Sequence, residues 1–256
     1  MYVRWKRVPG FLKYSKKLEI FMSLVLLMSV SLIACNMNEV VEDKKETESV
    51  TTKKTNGKVV VIDPGHGGAD PGKVGINEAK EKDVNLAIGM ELKSVLEDAG
   101  FEVVMTREED TDLGSDGKFS KVGDLNARCS IINQAYEKNK ECVLVSIHQN
   151  SFTSESVHGA QTFYYQRSEN SMKLAEIVQN KFNQEINTEK AKKAKPNDSY
   201  YMLINSKCPG IIVECGFLSN REEADKLIEQ EYQRQLSEII CDCIKEYFAT
   251  VQPCDI

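Results

Sequence analysis

The sequence predicts an α/β fold, a single domain with a twisted, mostly parallel sheet flanked by helices on both faces. Two patterns carry that expectation. Short apolar runs alternate with longer stretches at helical spacing over residues 57–250. Two of the short runs end on a histidine and a third ends on a glutamate, and open α/β sheets carry their sites off the strand ends.

The first strand is the clearest. Val59, Val60, Val61 and Ile62 read as a buried strand and run straight into Asp63, Pro64, Gly65 and His66. Asp-Pro-Gly forces a turn, and the glycines around His66 clear space for an imidazole. Residues 81–99 place Val84, Ile88, Leu92, Val95 and Leu96 at helical spacing and stop at Gly100. Residues 101–106 read as a short strand. The acidic stretch 108–121, with its glycines and serines, reads as a loop, and 125–136 as a helix. Residues 141–148 (ECVLVSIH) form a second buried strand that ends on His148, and 159–165 a third. An amphipathic helix is expected over 171–186, a short buried strand over 211–214 (IIVE), and helix in two pieces over 221–247. No internal repeat is evident.

The flanks are not part of this fold. Arg4, Lys6, Arg7, Lys13, Lys16 and Lys17 precede an apolar stretch, 18–34, that ends Leu32, Ile33, Ala34, Cys35. That is a signal-peptide pattern with a lipobox, so residues 1–35 are expected to be a signal with lipidation at Cys35, or else a retained membrane anchor. Either way the remainder leaves the cytoplasm, and the N-terminal segment is the contact with a membrane. Residues 36–56 are a polar flexible linker, 57–250 the domain, and 251–256 a tail. The chain has 33 basic and 39 acidic residues, net −6, and nothing favours nucleic acid as a partner. Eight cysteines stand at 35, 129, 142, 208, 215, 241, 243 and 254 without any CxxC spacing. A lipidated Cys35 leaves an odd number, so free thiols are expected rather than a disulfide framework.

Only three histidines occur, 66, 148 and 158. Catalytic zinc commonly takes two histidines and a carboxylate and keeps one position open. The acids near the first loop are Asp63, Asp70, Glu78, Glu81 and Asp83. Glu81 starts the following helix and could face His66, although an acid there also suits the helix dipole. An apolar strand tip carrying Glu214 is unusual unless the acid works, and a general base is the natural role. Cys215 alternates to the opposite side from Glu214, which argues against a cysteine nucleophile. His158 reads as a surface residue. The glycine loop lacks the Gly-Lys-Ser/Thr ending of a phosphate-binding loop.

Six ordered motifs then carry a resemblance. They are IDPGHGG (62–68), EKDVNL (81–86), MTR (105–107) with Asp110, Leu125 with Arg128 and Asn133, SIH (146–148) and VECGFLSN (213–220). Together they resemble the zinc-dependent N-acetylmuramoyl-L-alanine amidases of the amidase-3 family. SIHQNS (146–151) and GAQTFY (159–164) are nearest to its sporulation-specific, CwlD-type branch. The resemblance implies one Zn2+ per chain at His66, Glu81 and His148, with Glu214 as the catalytic glutamate. It implies cleavage of the amide between N-acetylmuramic acid and L-alanine of peptidoglycan, in spore cortex maturation, where the product is converted to muramic lactam needed for germination. It places the protein outside the cytoplasm, between the forespore membranes or in the cortex. Arg107 and Arg128 would steady the site or bind acidic parts of the glycan-peptide, with salt bridges to Asp110 or Asp124 as the plainer reading. The alternatives are a catalytically silent peptidoglycan-binding lipoprotein, and an amidase active only with an accessory activator protein.

Overall fold

The computed structural model describes residues 55–114 and 119–251. The apolar segment 18–34, Cys35, most of the linker and the end of the tail lie outside the described residues.

Six strands form one sheet: β1 (Val59–Pro64), β2 (Glu102–Met105), β3 (Cys142–Asn150), β4 (Gln161–Tyr165), β5 (Lys195–Asn197) and β6 (Gly210–Phe217), in the order β2-β1-β3-β6-β4-β5. The helices are α1 (Glu81–Asp98), α2 (Lys121–Lys138), α3 (Glu169–Glu185), α4 (Tyr201–Asn205), α5 (Arg221–Leu227) and α6 (Gln230–Thr250). β2, β1, β3 and β6 run parallel, β4 is antiparallel to β6, and β5 is parallel to β4. The expected mostly parallel sheet is therefore present, with one reversal at β4.

Alternation along the central strands divides the apolar side chains between two layers. Val60, Ile62, Val145, Ile211 and Val213 pack in one cluster with Ile88 and Leu92 of α1, Leu174 and Phe182 of α3, and Ile240 and Ile244 of α6. Val59, Val61 and Leu144 face the other way, against Cys129 and Ile132 of α2 and Met202 of α4. The second layer is smaller, and on its side His148 near the end of β3 and Glu214 of β6 are only partly buried.

The strands expected at 141–148 and 211–214 run on to Asn150 and Phe217, past the histidine and the glutamate. Register pairs His148 with Glu214, and a bulge follows at once, before Asn150 meets Phe217. α2 begins four residues before the expected helix, capped where the Ser120 side chain accepts from Gly123 N–H. β5 and α4 were not expected at all. No helix among the described residues is long and apolar enough to cross a membrane. Cys129, Cys142, Cys208, Cys215, Cys241 and Cys243 are all free and buried.

Candidate metal centre

Three elements bring the ligand candidates together. His66 follows β1 on the glycine loop, Glu81 opens α1, and His148 lies near the end of β3. One ligand atom from each lies within 4.8 Å of the others, the only such group among the described residues. The Glu81 carboxylate sits between the imidazoles, with Oε2 3.2 Å from His66 Nε2 and Oε1 3.0 Å from His148 Nδ1. Burial would raise its pKa, but hydrogen bonds and charge from His148 and His66 hold it well below the carboxylate range. Glu81 also accepts from the backbone N–H of Lys73 and of Gln149.

The loop conformation is what makes this convergence possible. His66 adopts φ 61°, a left-handed conformation that few side chains tolerate. A Cβ on Gly65 would strike the His148 ring, and one on Gly72 would strike Glu81 and His66. Both positions must be glycine for the three side chains to close in. His66 Nδ1 lies 2.9 Å from Asp70 Oδ2, and Asp70 Oδ1 accepts from Gly72 N–H. A carboxylate on the far nitrogen of a metal-binding histidine fixes its tautomer and ring direction. Of the five acids near the loop, only Glu81 joins the imidazoles as a ligand candidate. Asp70 orients His66, and Asp63 belongs to a different network.

That network is built on Arg128, which is 1 % exposed. Its guanidinium donates to Asp124 Oδ2 at 2.7 Å, to Asp63 Oδ1 and Pro64 O at 2.8 Å, and to His66 O at 2.6 Å. Arg107 donates to the carbonyls of Pro64, Gly65, Lys82 and Glu109. Asp110 bonds to Lys82 and to Gly68 N–H instead. These are the contacts of a brace for the loop. Substrate binding by either arginine would require them to break.

Glu214 faces the same space from β6. It is flanked by His148 across the β3–β6 ladder and by Gln161 across the β6–β4 ladder. Its Oε2 is buried and has no hydrogen-bond partner. Burial pushes its pKa up to about 7, with His148 acting against that and Glu81 adding to it. Cys215 points to the opposite layer, fully buried in the helix-covered core, as alternation requires.

Two cavities meet at His66, His148 and Glu214. One, of about 390 Å³, has an apolar wall made by Leu125, Tyr200, Tyr201, Met202 and Ile212. The other, of about 350 Å³, is rimmed by polar groups that include Lys73, Lys121 and Asn150. Tyr200 and Tyr201 were missed at the sequence level. The aromatic run after Pro196 and Asn197 was the available signal. His158 is exposed and lines a separate cavity with Glu222 and Glu223.

The residues fit a divalent cation. Two imidazoles and a carboxylate are a common catalytic zinc set, and an unpartnered buried carboxylate oxygen beside them is where an activated water would be met.

Comparison with known proteins places the chain in a family. The chain is 36% identical over 197 residues to the germination-specific N-acetylmuramoyl-L-alanine amidase of Bacillus subtilis, covering 75% of this chain and 81% of that protein. It superposes on the CwlD amidase of Clostridioides difficile, solved in complex with the GerS lipoprotein, with TM-score 0.69 and 31% identity, covering 76% of this chain and 100% of the other. The amidase AmiC2 of Nostoc punctiforme gives TM-score 0.64 at 35% identity, over 76% and 99% of the two chains. A family profile described as N-acetylmuramoyl-L-alanine amidase matches residues 60–246. By that match, the chain belongs to the N-acetylmuramoyl-L-alanine amidase family.

Proposed function

We propose that this amidase is zinc-dependent and acts in spore cortex maturation, on the amide that joins N-acetylmuramic acid to L-alanine. The observation that carries the mechanism is the convergence of His66, Glu81 and His148 beside the unpartnered Glu214. His66, Glu81 and His148 would hold zinc, which when bound supplies Lewis-acid activation of water and of the scissile carbonyl. Glu214 takes the proton from the attacking water and returns it to the leaving alanine nitrogen. Its position supports both transfers, because the carboxylate faces the same space as the three ligand candidates and its buried oxygen has no hydrogen-bond partner to displace. Asp70 keeps His66 in one tautomer, and Arg107 and Arg128 hold the loop that carries it.

The cortex assignment is supported by the likeness to the germination-specific enzyme of B. subtilis. An amidase that needs an accessory activator protein is the second reading, supported by the C. difficile relative, which was solved in complex with a lipoprotein. Action outside the cytoplasm, with residues 1–35 as signal or anchor and Cys35 as lipidation site, follows from the sequence pattern. The test is mass spectrometry of peptidoglycan digested by the purified protein with added zinc, with Glu214→Gln as control. Stem peptides beginning with L-alanine are expected from the unaltered protein alone. Their absence from a folded, zinc-loaded protein would favour the silent binding protein or the partner-dependent enzyme. Adding the partner separates those two.

A further inference from the structure

Behind the three ligand candidates lies a second polar set, fully buried, that the reaction does not use. Each member is a chain neighbour of a ligand. Gly65 precedes His66, Gln149 follows His148, and Asn85 lies one helical turn beyond Glu81. Asn85 is 0 % exposed and Gln149 is 3 % exposed. Asn85 Nδ2 donates to the Gly65 carbonyl at 3.1 Å, and Asn85 Oδ1 accepts from Gln149 Nε2 at 3.1 Å. Gln149 backbone N–H donates to Glu81 Oε1 at 3.1 Å. The path therefore leaves the His66 loop, crosses α1 and the tip of β3, and returns to the ligand carboxylate. Cys215, next to Glu214, reaches the Gln149 amide from β6.

Stability alone does not call for this arrangement. Gln149 Oε1 is buried without a hydrogen-bond partner, so the network is incompletely satisfied, and an apolar pair would avoid that cost. What the amides supply is geometry. The loop, the helix and the strand each bring one ligand candidate, and among the described residues this pair of side chains joins all three from behind.

We propose that Asn85 and Gln149 are positioning residues, a buried amide clamp that sets the relative placement of His66, Glu81 and His148 and so the strength of zinc binding. The clamp acts through the ligands and touches no substrate. It rests on the zinc reading given above.

The experiment measures zinc dissociation constants of the full chain by competition with a chromophoric chelator, and thermal midpoints of the metal-free protein. The variants are Asn85→Leu, Gln149→Met and the double variant. Gln179→Met is the control, because Gln179 is equally buried but bonds to Thr162 N–H and the Ala160 carbonyl. Each single clamp variant is expected to weaken zinc binding about 10- to 100-fold, the range for groups that orient metal ligands. The double variant should add little to the worse single one, because both break one network. Gln179→Met should lower the thermal midpoint and leave zinc affinity within about twofold. If Asn85→Leu does not fold, Asn85→Ser removes the same long-reaching amide with less crowding. Unchanged zinc affinity in folded clamp variants, or a loss no greater than in the Gln179 control, overturns the clamp and leaves the metal centre standing. An unaltered protein that binds no zinc overturns both.

Discussion

Asp63 and Glu214 are two carboxylates on the same face of one sheet, and their surroundings set them in opposite states. Asp63 receives Thr106 and Arg128 on one oxygen and Ser146 on the other. Burial would raise its pKa, but the Arg128 charge and these donors hold it below the ordinary value. Glu214 has no donor on its buried oxygen, and burial drives it up to about 7. A buried carboxylate with donors on both oxygens is a strut. One left without donors is a reagent held in readiness, stable only because the rest of the fold tolerates it.

The sharpest way to break this contrast is to neutralise each acid in turn. Glu214→Gln should lower kcat by about 10²–10⁴-fold, the usual weight of a general base, in a peptidoglycan digestion assay. The same change should stabilise the metal-free protein. A carboxyl raised from 4.5 to about 7 on folding contributes stability below pH 4.5 that is lost as pH climbs through 7. The gain in Glu214→Gln is therefore expected to grow from about pH 4.5 upward and level off above about pH 7, at about 3 kcal/mol, and should vanish near pH 4 in thermal melts. A variant that is inactive and less stable at pH 8 would refute the reading of Glu214 as a strained reagent.

Asp63→Asn should do the reverse. It leaves Arg128 buried with half its counter-charge and should cost about 3–5 kcal/mol, measured by urea unfolding. Its depressed pKa gives stability that is present above about pH 4 and lost as pH falls further, so the variant's deficit should shrink in acid. Asp70→Asn, which alters the partner of His66 Nδ1, should weaken zinc binding about tenfold or more while changing stability little, as read by chelator competition. The smallest effect is expected for Cys215→Ala. The thiol faces the helix-covered layer, so kcat should change less than about threefold and stability by about 1 kcal/mol. A large loss of kcat there would revive a nucleophilic cysteine.

Much of this was legible before any coordinates. His66 follows and Glu81 opens a strongly patterned element, His148 and Glu214 close the apolar runs of theirs, and hydrophobic periodicity locates such runs well. The part that stayed hidden was short or long-range. β5 has three residues, including a proline, and α4 has five, too few for any period to register. With them went Tyr200 and Tyr201, the aromatic wall of the cavity beside His66 and Glu214. The reversal at β4 depends on which neighbour a strand finds, and nothing in GAQTFY records direction. The role of Asp63 was hidden for the same reason. Its partner Arg128 is 65 residues away, and a single chain read from end to end does not announce such pairings.

One consequence of the His148–Glu214 register reaches past this reaction. Adjacent strands lie about 4.8 Å apart wherever a sheet forms. The proposed ligand and the proposed proton carrier, mounted at the same level on neighbouring strands, therefore inherit their separation from the backbone lattice itself. Side-chain drift elsewhere cannot retune it, and insertions in the connections 108–120 or 151–158 leave it untouched. The rims could then be exchanged over generations to suit one wall chemistry or another, while the spacing on which bond cleavage depends passes on unaltered.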